Sequence, residues 1–350
     1  MERGELDLPE LRKDLITGEW VIIATERAKR PDKFKGAPSD VNIKTSTESC
    51  PFCYGNESMT PKEVFTICSS RERKPNTKGW QVRVVPNKFP ALLSNLPLES
   101  SKVGIYDVMN GFGVHEVIIA SPKHIHSIAE LELGEFELMV NSYVNRMRSL
   151  QNDERIKSII IMHNQGKEAG ASLDHIHSQL FALPLIPPVL GKELSGTLGY
   201  FNGNNSCAMC DILKFESRED KRVVFEDNNF MVIEPFASSS PYETWIVPKK
   251  HSPSFENLEA EEISSFSYCL KVVMDFFYSD LNNPPFNYYI HTSPTFIDTS
   301  KYFHWHLELF PKLTIKAGFE MGTGVNINIT SPEFTAEFMK EKLKRLKVKV

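Results

Sequence analysis

Cysteine and histidine recur in the same order in the two halves of this 350-residue chain. The first half carries Cys50-Pro-Phe-Cys53, Ser121-Pro-Lys-His124 and His175-Ile-His177, and the second carries Cys207-Ala-Met-Cys210, Val247-Pro-Lys-Lys-His251 and His304-Trp-His306. The histidine of the Pro-Lys motif precedes the H-x-H motif by 51 residues in the first half and by 53 in the second. This repetition of three motifs indicates an internally duplicated unit.

The repeated cysteines and histidines have the chemistry of metal ligands. Thiolate and imidazole suit zinc, and four such ligands complete a tetrahedral structural site. The sequence therefore predicts two zinc ions per chain, held by Cys50, Cys53, His124 and His175 and by Cys207, Cys210, His251 and His304. His126 could replace His124 at the metal. A redox dithiol is the less favoured interpretation, because it needs a helix N-terminus and Cys53 runs into Tyr54-Gly55-Asn56, which is typical of a turn.

His177 is the candidate nucleophile. Residues two apart in a strand share a face, so His175 and His177 are expected to point the same way, with a metal-bound His175 as a rigid anchor. Neutral imidazole can attack phosphorus and form a covalent intermediate. The alternative, in which both histidines only serve as ligands, fits the spacing equally well.

The residues around His177 suit a phosphate. Gly170, Ala171 and Ser172 are small, which lets main-chain N–H groups approach an anion closely, and Ser172 adds a hydroxyl donor. Gln179 is expected on the same strand face as His177 and can donate its amide to a phosphate oxygen. Donors placed in this way lower the barrier to phosphoryl transfer by positioning and by stabilising charge.

Strand and helix patterns surround these motifs. Strand patterns cover residues 114–119, 158–162, 242–247 and 286–290, and helix patterns cover about 131–150 and 260–281. Each half therefore predicts strands, one long helix and more strands, with its H-x-H in a further strand. Prolines, glycines and asparagines from Pro184 to Asn205 predict a linker, and a final helix is predicted from Pro332 onward. We expect two domains, residues 1–190 and 191–350.

Composition excludes several classes of protein. The net charge is −5 and no long basic stretch precedes the tail, which argues against a non-specific nucleic-acid binder. No apolar run is long enough to span a membrane, and the N-terminus lacks the apolar core of a signal peptide. We therefore expect a cytoplasmic protein, whose thiols are reduced and available to metal.

The motifs together resemble the galactose-1-phosphate uridylyltransferases and the related ADP-glucose phosphorylases of the histidine-triad superfamily. The matching segments begin at Glu10, Gly18, Arg27, Cys50, Gly170, His175, His304 and Gly318. The resemblance implies an α+β fold of two tandem histidine-triad-like half-barrels, each of antiparallel strands with helices packed against them. It also implies a homodimer.

The resemblance assigns roles to individual residues. It makes His177 the nucleophile, His175 a zinc ligand and Gln179 the residue that holds the transferred phosphate. The positions that it places along the substrate are Arg27, Ala28, Lys29 and Arg30 near the diphosphate, Ser58, Met59 and Thr60 along the nucleotide, Asn87 at the nucleoside, and Phe319 and Glu320 toward the sugar. Gly170 and Ala171 join this set because their small size suits a phosphate.

The expected activity is nucleotidyl transfer in two steps through a covalent His177 intermediate. UDP-glucose and galactose 1-phosphate are the first choice of substrates, and ADP-glucose with inorganic phosphate is the alternative. A catalytically inactive nucleotide-binding protein and a purely structural zinc protein are the rivals from other classes. Two departures from the family pattern are Ile176, where proline is common, and Phe319, where the best-known uridylyltransferases have tyrosine.

Overall fold

The computed structural model describes residues 8–29 and 47–345. Within these ranges the strands are β1 (Glu10–Lys13), β2 (Trp20–Ile23), β3 (Phe65–Cys68), β4 (Trp80–Pro86), β5 (Ser100–Val103), β6 (Tyr106–Met109), β7 (Val114–Ile119), β8 (Ser158–Gln165), β9 (His177–Leu183), β10 (Val223–Glu226), β11 (Phe230–Ile233), β12 (Thr244–Pro248), β13 (Phe286–His291), β14 (His306–Pro311) and β15 (Asn326–Asn328). The α-helices are α1 (Leu133–Leu150), α2 (Pro188–Asn204), α3 (Ala208–Glu219), α4 (Ala260–Ser279), α5 (Gly318–Thr323) and α6 (Pro332–Arg345).

A ten-stranded antiparallel sheet forms the centre of the molecule, in the order β10-β11-β12-β14-β13-β8-β9-β7-β4-β3. The order is symmetric about the pair β13–β8, where Tyr288 lies opposite His163. Strands β3, β4, β7, β9 and β8 of the first half thus correspond to β10, β11, β12, β14 and β13 of the second. The duplication seen in the sequence joins two five-stranded half-sheets edge to edge. The predicted α+β class is confirmed.

The long helices α1 and α4 cover one face of this sheet. Phe136, Met139 and Tyr143 of α1 and Phe266 and Leu270 of α4 are fully buried in one apolar core. Burial of this apolar surface is the main favourable contribution to folding. The helices therefore leave the opposite sheet face for the polar side chains of the site.

Strand alternation sorts the residues of β9 between these two faces. Leu180 and Ala182 belong to the apolar core, and Ser178 contacts Tyr143 of α1 through a hydrogen bond. The intervening His177, Gln179 and Phe181 therefore project from the other face. The strand begins at His177, so His175 precedes it, whereas the sequence pattern places both histidines in the strand.

The predicted linker from Pro184 to Asn205 is wrong, because most of it is helix α2. Pro188 occupies the first helical position, where its missing N–H and fixed φ are favourable. Leu190 and Leu194 pack with Phe303, and this tertiary contact compensates for the glycines of the segment. The domain boundary predicted at 190/191 falls within this helix, and the division into two domains stays a prediction.

The N-terminal strands connect the two halves further. β1 and β2 form a small sheet with β15, in which Ile22 of β2 lies parallel to Ile327 of β15. Residues from both ends of the described chain thus share one sheet. Among the described helices, none is both long and apolar enough to cross a bilayer.

Candidate active site and metal centres

His177 lies at the first residue of β9 and is buried. Its Nδ1 is 2.9 Å from the main-chain oxygen of His175. Because a carbonyl oxygen only accepts, Nδ1 carries the proton and Nε2 keeps its lone pair. Burial lowers the pKa of His177, and the bond to His175 opposes this shift only in part, so the ring is neutral near pH 7. The structure therefore presents an imidazole whose Nε2 is unprotonated and has no hydrogen-bond partner among the described residues.

The first candidate metal centre includes His175, the residue that holds this ring. His175 Nε2 lies 2.8 Å from the Ser121 oxygen and donates to it, so Nδ1 faces the thiols of Cys50 and Cys53 at 3.6 and 3.7 Å. Cys53 Sγ is 3.0 Å from His124 Nδ1. A tetrahedral site with bonds of about 2.3 Å to sulfur and 2.0 Å to nitrogen separates such ligands by about 3.5 Å. The four side chains therefore fit a zinc ion.

The second centre repeats this arrangement. Cys210 Sγ lies 3.4 Å from His251 Nδ1 and 3.6 Å from His304 Nδ1, and Cys207 lies 3.9 Å from His304. Both histidines turn Nε2 toward main-chain oxygens, those of Ser300 and Pro248. Such bonds fix the tautomer that binds metal. Cys207 precedes α3 directly, so the turn that follows Cys53 is not repeated in the second half.

His126 lies outside both four-residue groups. Its ring centroid is 5.1 Å from that of His124, but His124 is the one beside Cys53. The geometry therefore favours His124 as the ligand of the first centre.

A third group of potential ligands escaped the sequence analysis. Glu193, His291, His306 and Glu308 place their donor atoms within 4.8 Å of one another. His291 Nδ1 lies 2.6 Å from a Glu193 oxygen. Burial alone would lower the pKa of His291, but Glu193 and Glu308 raise it to about 9, so the group also works as a buried ion pair. Glu193 was missed because it lies on the helix that was predicted as a linker.

Gln179, His115 and Asn87 form a cluster on the site face of the sheet. Gln179 Oε1 is 2.8 Å from His115 Nε2, and the His115 ring stacks on Phe181 at 4.0 Å between centroids. The Asn87 N–H donates to the main-chain oxygen of His115 at 2.9 Å. The structure thus brings the predicted Asn87 and Gln179 together, through a histidine that the sequence analysis did not assign to the site.

The loop before His175 is compact. Gly166 and Gly170 have φ of 84° and 89°, and they flank a 3₁₀-helix at Lys167–Ala169. A Cβ on Gly166 would lie 2.8 Å from Pro285 Cβ, so this turn requires glycine. The Ala171 N–H donates back to the Gly166 oxygen, and Ser172 is exposed. The Gly170 N–H likewise donates to the Lys167 oxygen, so these two main-chain donors, expected from the sequence to approach a phosphate, are already used within the loop.

The remaining predicted substrate contacts lie on separate short elements. Arg27 belongs to a 3₁₀-helix at Thr25–Lys29, which also includes Ala28 and Lys29; its buried Nε has no hydrogen-bond partner among the described residues. Ser58 and Met59 are exposed, and the Thr60 hydroxyl accepts from Arg83 at 2.8 Å. Phe319 and Glu320 lie on α5, and Arg30 lies outside the described residues. Their contacts with substrate stay predictions.

Two family models cover nearly the whole chain. The N-terminal domain of galactose-1-phosphate uridyl transferase matches residues 4–187, and its C-terminal domain matches residues 193–349. The chain belongs to the galactose-1-phosphate uridyl transferase family. The resemblance inferred from the motifs is thereby confirmed. Members of this family transfer nucleotidyl groups, and the chain is a nucleotidyltransferase.

Individual members of the family are similar over their full length. ADP-glucose phosphorylase from Arabidopsis thaliana is 38% identical over 339 residues, which are 95% of this chain and 93% of that protein. Galactose-1-phosphate uridylyltransferase from Thermotoga maritima is 30% identical over 341 residues, which are 95% and 98% of the two chains. The crystal structure of the Arabidopsis phosphorylase with bound ADP-glucose superimposes with a TM-score of 0.81 at 35% identity, covering 95% of this chain and 99% of the other.

Proposed function

We propose that this family member is an ADP-glucose phosphorylase, which moves an adenylyl group from ADP-glucose to inorganic phosphate. The observation that carries the proposal is the 38% identity to the Arabidopsis phosphorylase, against 30% to the Thermotoga uridylyltransferase, at similar coverage. The TM-score of 0.81 with a phosphorylase that holds ADP-glucose supports it. UDP-glucose and galactose 1-phosphate, the substrates first expected from the sequence, are therefore the less supported choice.

In the first step, His177 Nε2 attacks the α-phosphorus of ADP-glucose. A nitrogen–phosphorus bond forms, and the bond from this phosphorus to the bridging oxygen breaks, which releases glucose 1-phosphate. The leaving phosphate is weakly basic, so the step needs no strong general acid. The carbonyl of His175 accepts a hydrogen bond from Nδ1–H and stabilises the positive charge that develops on the ring.

In the second step, an oxygen of inorganic phosphate attacks the adenylyl phosphorus. The nitrogen–phosphorus bond breaks, ADP leaves, and His177 returns to its neutral form. The sum is ADP-glucose and phosphate giving glucose 1-phosphate and ADP. A covalent nucleophile divides one difficult displacement into two easier ones.

Polar groups around His177 are proposed to stabilise the phosphoryl oxygens. Gln179 projects from the same strand face, and Ser172 follows the loop at 166–171, whose Ala169, Gly170 and Ala171 N–H groups already donate to main-chain oxygens of the loop. Within the part of the chain that the structure describes, the Nε of Arg27 has no partner, so we propose that this guanidinium binds the diphosphate. Donors aimed at developing charge supply the largest part of such catalysis.

We propose two zinc ions per chain, one in each Cys₂His₂ group, with a structural role. A site closed by four protein ligands leaves no position for substrate. Zinc bound at Cys50, Cys53, His124 and His175 would fix the His175 main chain, and through it the His177 ring. The chemistry of transfer then belongs to the protein side chains.

A homodimer and a cytoplasmic location complete the proposal. The hairpin of β5 and β6 exposes several large apolar residues, among them Val103, Ile105 and Tyr106. An exposed apolar patch of this kind commonly marks a protein–protein contact. We propose that a second copy of the chain covers it.

The activity is tested by comparing two substrate pairs with the full chain. Release of glucose 1-phosphate is measured with ADP-glucose plus phosphate and with UDP-glucose plus galactose 1-phosphate. We expect the first pair to react at least ~100-fold faster, about 2.7 kcal/mol in transition-state stabilisation. The reverse preference would make the chain a uridylyltransferase. Tight nucleotide binding without release of glucose 1-phosphate from either nucleotide sugar would favour an inactive nucleotide-binding protein.

A further inference from the structure

Two amide side chains flank His177, and main-chain groups fix which end of each amide faces it. We propose that His115 and Asn287 are positioning residues, which turn the NH₂ groups of Gln179 and Asn164 toward the phosphoryl group that His177 receives. The inference rests on the proposed nucleotidyl transfer through His177 and assigns to this reaction two residues that do not touch substrate.

The two amides are neighbours of His177 in the sheet. Gln179 lies two residues along β9, on the same face. In the pairing of β8 with β9, Met162 lies opposite Gln179 and His163 opposite Ser178, so the next position places Asn164 beside His177. Directly opposed residues in an antiparallel pair have Cβ atoms about 5 Å apart. Both amides are therefore within reach of a group bound at His177.

The first chain of hydrogen bonds, called here the His115 relay, runs from the main-chain N–H of Ala91 through His115 to Gln179. The Ala91 N–H lies 3.2 Å from His115 Nδ1, and since an N–H only donates, this ring nitrogen accepts. Neutral imidazole carries one proton, which must then be on Nε2. His115 Nε2 lies 2.8 Å from Gln179 and donates to it. The Gln179 atom at this position is therefore its oxygen, and its NH₂ group faces away from His115.

Two observations concern the protonation of His115. Burial lowers the pKa of His115, so the ring stays neutral and carries one proton. Asn87 Oδ1 accepts from the Phe89 N–H at 2.9 Å, which turns the Asn87 NH₂ toward His115 Nε2 at 3.1 Å and competes with the contact to Gln179. The Gln179 contact is shorter, at 2.8 Å, and the Ala91 N–H occupies Nδ1, so we assign the proton to Nε2 and its hydrogen bond to Gln179.

The second chain of hydrogen bonds, the Asn287 relay, runs from the main-chain oxygen of Ala169 through Asn287 to Asn164. Asn287 Nδ2 lies 2.8 Å from the Ala169 oxygen, which only accepts, so this end of Asn287 is its NH₂ group. The same NH₂ lies 2.7 Å from Asn164, whose atom there must be Oδ1. Asn164 Nδ2 then points toward Gly170, since it lies 3.9 Å from the position of a Cβ on that residue.

The two relays therefore turn the NH₂ groups of both amides, rather than their carbonyl oxygens, toward the bound phosphoryl group. A flipped amide would present a carbonyl oxygen to the phosphoryl oxygens and repel them. Loss of one preorganised donor typically costs about 10²–10³-fold in rate. Asn287 belongs to β13 of the second half, so the second half helps to position a donor in the site of the first.

The His115 relay is tested in the full chain by the single-turnover rate of His177 adenylylation with ADP-glucose, followed by rapid quench and intact-mass measurement. We expect His115→Phe to slow it about 10- to 100-fold, a part of the loss of a whole donor. His115→Gln, whose NH₂ can replace the Nε2 proton, should recover most of the rate. The double variant with Gln179→Ala should be no slower than Gln179→Ala alone, because both changes remove the same donor. Losses that multiply, or a wild-type rate in His115→Phe, would overturn this relay.

The Asn287 relay is tested by reversing its polarity. Aspartate at 287 only accepts, so it should draw the Asn164 NH₂ toward itself and away from the site. Asn287→Asp should therefore be slower than Asn287→Ala, and either change combined with Asn164→Ala should be no slower than Asn164→Ala alone. Asn152→Asp adds the same charge on an exposed residue and should leave the rate unchanged. Equal rates for the Asp and Ala variants at 287 would overturn the relay.

The two proposals fail in different ways. No adduct in the wild-type chain would overturn the proposed function and the relays with it. A wild-type adduct, together with unaltered rates in the His115 and Asn287 variants, would overturn the relays alone. Thermal unfolding of every variant separates a local loss of rate from a loss of fold.

Discussion

Gln179 and Glu308 occupy equivalent positions in the two halves, each two residues beyond the second histidine of an H-x-H motif. The strands β9 and β14 begin at these histidines, His177 and His306, and both rings place Nδ1 against the main-chain oxygen two residues earlier. Glu308, however, is a carboxylate 3.3 Å from His306 Nε2. The duplicated halves share the imidazole arrangement but present opposite electrostatics to a phosphate. We infer that only the first half transfers nucleotidyl groups.

This difference gives a prediction for Gln179→Glu. The change removes a donor and adds a negative charge near the phosphoryl oxygens, so adenylylation of His177 should fall by at least about 10²–10³-fold. The loss should exceed that of Gln179→Ala, which removes the donor without adding charge. Single-turnover rates of His177 adenylylation test this order. Equal rates for the two variants would contradict the claim that a negative charge at this position repels the phosphoryl group.

The metal prediction concerns Cys50→Ser. Loss of one thiolate from a four-ligand site should remove zinc from the first centre and lower stability, with activity falling as a result. Zinc content by elemental analysis and thermal unfolding test it. Cys68→Ser is the matched control, because Cys68 belongs to none of the ligand groups among the described residues. A stable Cys50→Ser protein with full zinc would exclude Cys50 as a ligand.

Gly196→Ala tests the close packing of α2. Replacing glycine by alanine inside a helix ordinarily stabilises it by about 0.5–1 kcal/mol. Here a Cβ would lie 1.7 Å from the main-chain oxygen of Ile16, so the N-terminal segment would have to move. We expect a lower free energy of unfolding. Gly199→Ala on the same helix has open space around its Cβ and should be stabilising. Denaturant unfolding measures both free energies of unfolding. Changes of the same sign in the two variants would contradict this account.

Glu234→Gln tests a buried carboxyl that receives a hydrogen bond from Thr335 of α6. Burial raises the pKa of Glu234 well above its ordinary value, so the folded chain keeps this group protonated where the unfolded chain ionises it. The penalty is absent below the ordinary glutamate pKa of about 4.3 and grows above it by about 1.4 kcal/mol per pH unit, up to the raised pKa of the folded state. The variant should therefore raise the melting temperature at pH 7 but not at pH 4. An identical gain at both values would contradict the raised pKa.

Much of the fold follows from local sequence patterns. The predicted strand at 114–119 is β7, and the predicted helix at 131–150 begins two residues later as α1. Helix α2 was predicted as a linker because its glycines indicate a loop. Its stability comes from contacts with Phe303 and with the segment at Ile16, which are distant in sequence. Local propensity does not contain such tertiary contacts.

The candidate site, like the fold, was predicted from the sequence only in part. Motif spacing identified the eight cysteine and histidine side chains that the structure gathers into two groups. It did not identify His115 or Asn287, because their contacts depend on strand register and on the main chain of Ala91 and Ala169. Nor did it identify the Glu193 group, since glutamate and histidine there come from three separate elements.

The covalent intermediate on His177 is the central claim, and intact-mass measurement tests it most directly. The full chain is incubated briefly with ADP-glucose in the absence of phosphate, with His177→Ala in parallel and its zinc content and melting temperature checked. We predict one adenylyl adduct on the wild-type chain, its loss with release of ADP when phosphate is added, and no adduct on a folded, zinc-containing His177→Ala. An adduct that persists in His177→Ala, or turnover by this variant at the wild-type rate, would contradict the account.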